Sequence, residues 1–407
     1  MLDRKALGIL FATLFLLMLS VGIIIPNLAY RAQELSASPV QISLLFAIYS
    51  LMQFLFAPVW GHVSDKIGRK PVLLLGLIGN GVGLIAFGLS TRLPYLYAAR
   101  GFSGLLSSAA LPTAMAYVAD VTSEEQRGRA MGLMGAAMGL GFIFGPGLGG
   151  ILSRYGHGAP FLFAGALSLL TCFLASLFLR ESLGRTGAAV LPSGRLAALR
   201  ATGRRLLPFY LVAFFVPFAM ASLETTFPLL IQSRFGYGAR EMGVMFLFMG
   251  TAVFLVQGVL LGRWIQAAGE ESVLIGGLLI NAVGFLLVIA ALGHVSLTLA
   301  LVVAGVGNQV MRPTNATLIT KRTTLGQGAS IGIMDSFDSL GRILGPILAG
   351  ILYRPDPRYP YLASAALLLT VSIVLWRGLR LRPGVTPGAL TSPEGASEGG
   401  GSTGRGR

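Results

Sequence analysis

The chain has 407 residues, 54% of them hydrophobic and only 12% charged, with a mean hydropathy of +0.75. A soluble domain carries about a quarter charged residues, so the composition excludes a water-soluble globular protein and points to an integral membrane protein. The net charge of +15 needs no nucleic acid, because membrane proteins concentrate Lys and Arg in cytoplasmic loops. Spanning ~30 Å of hydrocarbon takes roughly 20 apolar residues as helix. In chain order the predicted spans of the first half are 6–30, 39–60, 71–91, 95–119, 127–153 and 159–179. Those of the second half are 207–232, 241–265, 272–292, 296–320, 327–352 and 359–379. The first run follows Asp3-Arg4-Lys5, is too long for a signal peptide, and reads as a retained helix. The expected domains are therefore a bundle over 1–179, a linker over 180–206, a second bundle over 207–382 and a disordered Gly/Ser/Pro-rich tail over 383–407. The single cysteine, Cys172, lies inside an apolar run, which excludes a disulfide framework or a cysteine metal cluster. The three histidines, His62, His157 and His294, fall near segment ends and read as loop residues.

Basic residues set the expected orientation. The segments on the side of the termini hold 21 Lys and Arg, and the opposite loops hold 7. That bias predicts cytoplasmic amino and carboxyl termini in a multi-pass membrane protein.

The second and third spans are joined by Gly61-His62-Val63-Ser64-Asp65-Lys66-Ile67-Gly68-Arg69-Lys70-Pro71. Here Gly61 is expected to let two helices approach, Gly68 to permit positive φ, and Pro71 to suit a first helical turn. A degraded copy begins at Gly262, shifted by 201 positions, with Gln266 in place of the acid. Other landmarks repeat at nearly the same offset: Pro26 and Pro228, Pro112 and Pro313, Gly145-Pro146 and Gly345-Pro346. Two structurally repeated six-helix bundles follow, with substrate expected between them near mid-membrane.

The G-x-x-x-D-x-x-G-R-K pattern resembles the signature loop of the major facilitator superfamily. Gly141-Phe142-Ile143-Phe144-Gly145-Pro146-Gly147-Leu148-Gly149-Gly150 is similar to the motif typical of that family's antiporters. Arg100-Gly101-Phe102-Ser103-Gly104 resembles its R-x-x-x-G motif, implicated in proton coupling. Leu223-Glu224-Thr225-Thr226-Phe227 and Met311-Arg312-Pro313 resemble stretches of the quinolone and multidrug exporters of Gram-positive bacteria. The resemblance covers residues 6–379 and implies an all-α membrane fold of twelve helices acting as a drug:proton antiporter. It also implies that Asp65, Arg69 and Asp120 form a charge cluster latching the outward-facing state. The family places an aspartate three positions before the arginine of the tenth helix; here that position is Gln309. Asp335 or Asp338 is then a candidate substitute.

Charged residues within spans are Arg100, Glu224, Arg312, Asp335, Asp338 and Arg342. Each costs about 2.5–3.5 kcal/mol at a helix centre on insertion scales, so each needs a partner or a wet cavity. Asp338 and Arg342 are four apart and can pair along one helix face, which Asp335 shares. A structural ion pair and a functional one both fit that spacing. Glu224 is expected to be the principal proton carrier and to meet the cationic part of a substrate. The competing reading is a glutamate hydrogen-bonded to Thr225, Thr226 or another helix. The dense glycine run ending in Gly145-Pro146 reads as a gate helix at the interface of the halves, or as plain close packing. Aromatic and methionine residues on candidate lining helices, Phe15, Met18, Phe54, Met115, Phe215, Phe218, Met220, Phe246, Phe248 and Met249, suit apolar ligands or simple packing.

The expected activity is export of amphipathic, often cationic, compounds in exchange for protons, by a monomer in contact with lipid. A lipid or metabolite exporter or flippase is the alternative. No HExxH, GxSxG or Walker pattern is present, so neither an enzyme nor a directly ATP-driven pump is expected, and protons are the only coupling agent foreseen.

Overall fold

The computed structural model describes residues 4–182, 206–323 and 327–380. The expected linker, apart from its first residues, and the expected tail lie outside the described residues. Among the described residues all regular structure is helical. In the first half the helices are α1 (Arg4–Glu34), α2 (Pro39–Ile67), α3 (Arg69–Leu89), α4 (Leu93–Ser107), α5 (Ala110–Asp120), α6 (Glu124–Leu152) and α7 (Ala159–Phe178). In the second they are α8 (Leu207–Phe235), α9 (Ala239–Leu255), α10 (Leu261–Ala290), α11 (His294–Arg322), α12 (Gln327–Tyr353) and α13 (Tyr359–Arg380).

Among the described residues, ten stretches are long and apolar enough to cross a membrane. One of them, Ala239–Ala290, has 52 residues. At the helical rise it would measure about 80 Å, more than two bilayer cores. It breaks at Gly269, where φ is 78° and ψ 157°, so it supplies two spans. The break matches the one at Gly68, where φ is 113°. Both are left-handed conformations that a Cβ disfavours, and they stand 201 positions apart. The α12 helix is long enough to span but carries Asp335, Asp338 and Arg342, which keep it outside the apolar set. The fourth predicted span is α4 and α5 together, interrupted at Ser108 and Ala109. Pro112, with no N–H and a ring facing the preceding turn, accounts for that interruption. Its repeat partner Pro313 is absorbed within α11.

Small residues set the packing within each half. The longest contact in the first is α1 against α6; in the second it is α8 against α12. A Cβ on Gly145 would fall 2.6 Å from the Gly22 Cα and 2.7 Å from the Leu19 carbonyl. In the second half Gly341 and Gly345 press on the backbone of Phe214 and Phe218. Close backbone approach maximises van der Waals contact where lipid offers no hydrophobic drive to associate. Gly145 was expected at the interface of the halves; it lies instead inside the first bundle. The reason is the helical period: Gly141, Gly145 and Gly149 share the stripe turned to α1.

The halves meet along α6–α9 and α2–α12. The closest approaches lie at the ends opposite the basic turns. A Cβ on Gly150 would meet the Ala239 carbonyl at 2.9 Å, and one on Gly243 the Pro146 carbonyl at 2.5 Å. Gly350 presses on Ser43 and Pro39. The Tyr30 hydroxyl donates towards the Tyr237 carbonyl at 3.3 Å. At the basic face the picture differs. Gly61 has nothing within 4 Å of its Cβ direction, so the close approach expected of it is absent in this conformation. Every ion pair among the described residues lies within one half: Arg69 with Asp65 and Asp120, Lys321 with Glu270, Arg322 with Glu271. The molecule is closed at the face opposite the basic turns and parted at the basic face.

Candidate functional site

The α12 helix shows where the parting leads. Its exposed residues fall on two opposite stripes. Leu340, Leu344, Leu348 and Ile351 form one. Asp335 and Arg342 form the other, with Asp338, 20% exposed, on the same side, and Leu340 and Arg342 stand about 200° apart around the axis. The Arg342 side chain is 46% exposed although it lies mid-helix. An arginine of that exposure cannot face hydrocarbon without a large cost, so the apolar stripe faces lipid and the charged stripe a wet space between the halves. Arg312, 63% exposed on α11, and Asp335, 51% exposed, pair at 3.1 Å and border the same space. Arg342 Nε donates to Asp338 at 3.0 Å.

Glu224 sits on α8 against this charged stripe and is 9% exposed. Its charge and that of Arg342 act on one another. The neighbouring threonines do not satisfy its carboxyl. Thr225 Oγ1 donates to the Ala221 carbonyl at 2.7 Å, and Thr226 Oγ1 to that of Ser222 at 2.8 Å. Among the described residues no hydrogen bond reaches the Glu224 carboxylate. The reading in which Thr225 or Thr226 holds it is thereby removed. A carboxyl left without donors, beside one cation and at the edge of a wet space, can exchange a proton and meet a ligand. Pro217 and Pro228 both interrupt the backbone ladder of α8.

The other predicted residues divide. Arg100 is buried, with its guanidinium 4.1 Å from the centre of the Tyr49 ring and Nε directed to the Leu45 carbonyl at 3.4 Å. It is held within the first half, away from the acid stripe on α12. Phe218, Met220, Phe246 and Met249 are buried in the packed core. In this conformation they fill helix contacts, as bulky residues facing small ones do; Met249 lies against Gly305. Phe15, Met18, Phe54, Met115 and Gln309 are half-buried. Phe248, at 58% exposure, is turned outward.

At the basic face Arg69 binds Asp65 at 2.6 Å, Asp120 at 3.1 Å and Ser64 Oγ at 2.7 Å. Asp65, Arg69 and Asp120 therefore form a cluster that joins α2, α3 and α5. One member was missed from sequence: Glu181 accepts from the backbone N–H groups of Arg69 at 2.7 Å and Lys70 at 3.1 Å. It neutralises the free N–H groups at the start of α3. Every member of the cluster lies in the first half. Asp65→Asn is expected to depress transport while leaving substrate affinity within a few-fold. Loss of binding by a correctly folded variant, measured by ligand fluorescence on purified protein, would contradict that role.

The sequence model described as Major Facilitator Superfamily matches residues 10–266 and 209–399. Multidrug resistance protein 1 of Bacillus subtilis is 30% identical over 379 residues, 91% of this chain and 96% of that protein. The quinolone resistance protein NorA of Staphylococcus aureus is 25% identical over 373 residues, 91% of this chain and 96% of that protein. Among solved structures, the human organic anion transporter MFSD10 superposes with a TM-score of 0.67 at 25% identity, over 91% of this chain and 99% of that one.

Proposed function

The chain belongs to the major facilitator superfamily of membrane transporters, and on that premise we propose that it exports hydrophobic or amphipathic compounds in exchange for protons by alternating access. It works in the bacterial plasma membrane with both termini in the cytoplasm, where the excess of basic residues belongs. The parted basic face is then the cytoplasmic entrance, and the described conformation is inward-facing. The observation that carries the reading is Glu224: a mid-span carboxyl without a hydrogen-bond donor, beside Arg342, at the edge of the wet space. The names of the bacterial relatives, multidrug and quinolone resistance proteins, support the substrate class.

Ionised, Glu224 attracts the cationic part of a ligand entering from the cytoplasm. After the halves rock, a proton from outside neutralises it and the attraction is lost. The ligand leaves outward, and the proton is released inward on return. One carboxyl that cannot serve proton and cation together couples the two flows. Gln309 stands where the resembled exporters carry an acid, so Glu224 bears the exchange on this face with Asp335 and Asp338 already engaged by arginines.

The test is uptake of ethidium and of a fluoroquinolone by everted membrane vesicles, with and without an imposed proton gradient. Accumulation against the concentration gradient is expected only when the vesicle interior is acid. Equal accumulation after the gradient is collapsed would contradict proton-driven export.

A further inference from the structure

The two halves are tied together by one side chain. Among the described residues every ion pair stays inside its own half, and the hydrogen bonds that cross between halves all start from Tyr30. Its hydroxyl lies 3.3 Å from the Tyr237 carbonyl and 3.5 Å from that of Pro228, both in the second half. Tyr30 is 3% exposed, so bulk water does not compete for the hydroxyl. The glycine contacts around it at Gly150, Gly243 and Gly350 are close packing, which lets surfaces separate without an unpaired polar group being left behind.

Each half braces its own side of this contact. The Tyr30 ring stacks on His157, with centroids 5.9 Å apart and planes 21° from parallel. His157 Nδ1 stands 2.6 Å from Glu34 Oε1. Glu34 accepts from Arg31, whose Nη2 donates to the Gly88 and Ser90 carbonyls at the end of α3. The donor is thus held by the first half alone. On the acceptor side Tyr237 follows Gly236, which closes α8 at a φ of 69°. The Tyr237 ring is fixed between Phe235, stacked at 5.5 Å, and the edge of His294 at 5.7 Å. The other acceptor, Pro228, has no N–H to bond the Glu224 carbonyl one turn back, so it stands on the least braced turn of α8. Only the Tyr30 hydroxyl has to let go for the braced parts to separate intact.

We propose that Tyr30 is the latch of the outer face: its hydroxyl holds the halves shut there and favours the inward-facing state. Losing that one bond removes a contact made in one state and not in the other, which is what shifts a two-state equilibrium. The inference rests on the reading that puts the basic turns in the cytoplasm and the closed face outside.

The test uses a thiol reporter at Ser43, which is fully buried against Gly350 of the other half and is uncovered when that face opens. The full-length chain carries Ser43→Cys with Cys172→Ser, and intact cells are treated with a membrane-impermeant maleimide. Tyr30→Phe, which removes the hydroxyl and keeps the ring, is expected to raise the labelling rate about two- to tenfold, the range one neutral hydrogen bond supplies. His157→Leu, which removes the stacked ring and keeps the hydroxyl, is expected to raise it less. Native Cys172, buried on α7, monitors folding: in Tyr30→Phe without the reporter it is expected to stay as unreactive in detergent as in wild type. A labelling rate unchanged by Tyr30→Phe overturns the latch. If Tyr30→Phe exposes Cys172, His157→Leu decides: a raised rate with Cys172 silent supports the latch, and an unchanged rate overturns it. A rise seen in everted membranes and not in intact cells would strike the assigned orientation and leave the latch standing.

Discussion

Glu224→Gln is expected to abolish uphill export while leaving the protein in the membrane at near wild-type abundance. Glutamine copies the shape of the protonated acid and cannot ionise. The protein would stay in the state that no longer attracts a cation, so cation binding weakens and the proton gradient loses its grip. The geometry makes a large effect specific to this residue. Thr225 and Thr226 bond back to their own helix, so the change breaks no hydrogen bond of the fold. Removing the carboxylate leaves Arg342 with Asp338 still at 3.0 Å, so no buried charge is stranded. Vesicle uptake of ethidium under an imposed gradient, normalised to immunodetected protein, checks the outcome. Wild-type dependence on the gradient in Glu224→Gln would move the proton to Asp335 or Asp338.

Gly145→Leu is expected to prevent stable assembly. Its Cβ alone would overlap the Gly22 Cα at 2.6 Å and the Leu19 carbonyl at 2.7 Å. Both obstacles are backbone and cannot rotate away. Overpacking costs typically about 1–3 kcal/mol and more where helices cannot separate, and here α1 and α6 form the longest contact of the first half. Gly139→Leu is the control on the same helix, because nothing lies within 4 Å of that Cβ direction. Size-exclusion profiles of detergent extracts should show Gly145→Leu aggregated or depleted and Gly139→Leu monodisperse. Equal profiles would contradict the packing account.

Much of the architecture was legible because membrane helices announce themselves by length and apolarity. The repeat offset located the turns at Gly68 and Gly269, and both hold positive φ. What could not be read was which neighbour each face meets. Glycine spacing showed that α6 packs closely on something, but not that Gly145 meets Gly22 of its own half while Gly150 meets Ala239 of the other. The charged stripe was legible as an i, i+4 pair for Asp338 and Arg342. The partner of Asp335, Arg312 on another helix, carries no local signal. Glu181 stands 112 and 111 positions from the two N–H groups it caps, and a single acid after the sixth span gives no hint of its target. Phe218 and Phe246 read as lining because aromatic residues suit ligands and cores alike; their burial places them in the core of this conformation.

The most direct test of the account is proton release on substrate binding. Purified protein in weakly buffered detergent, near the pH at which Glu224 is half protonated, should release protons when ethidium is added, because cation and proton compete for one carboxyl. Glu224→Gln should release none at any substrate concentration. Equal release from wild type and Glu224→Gln would contradict the claim that proton and substrate meet at this residue.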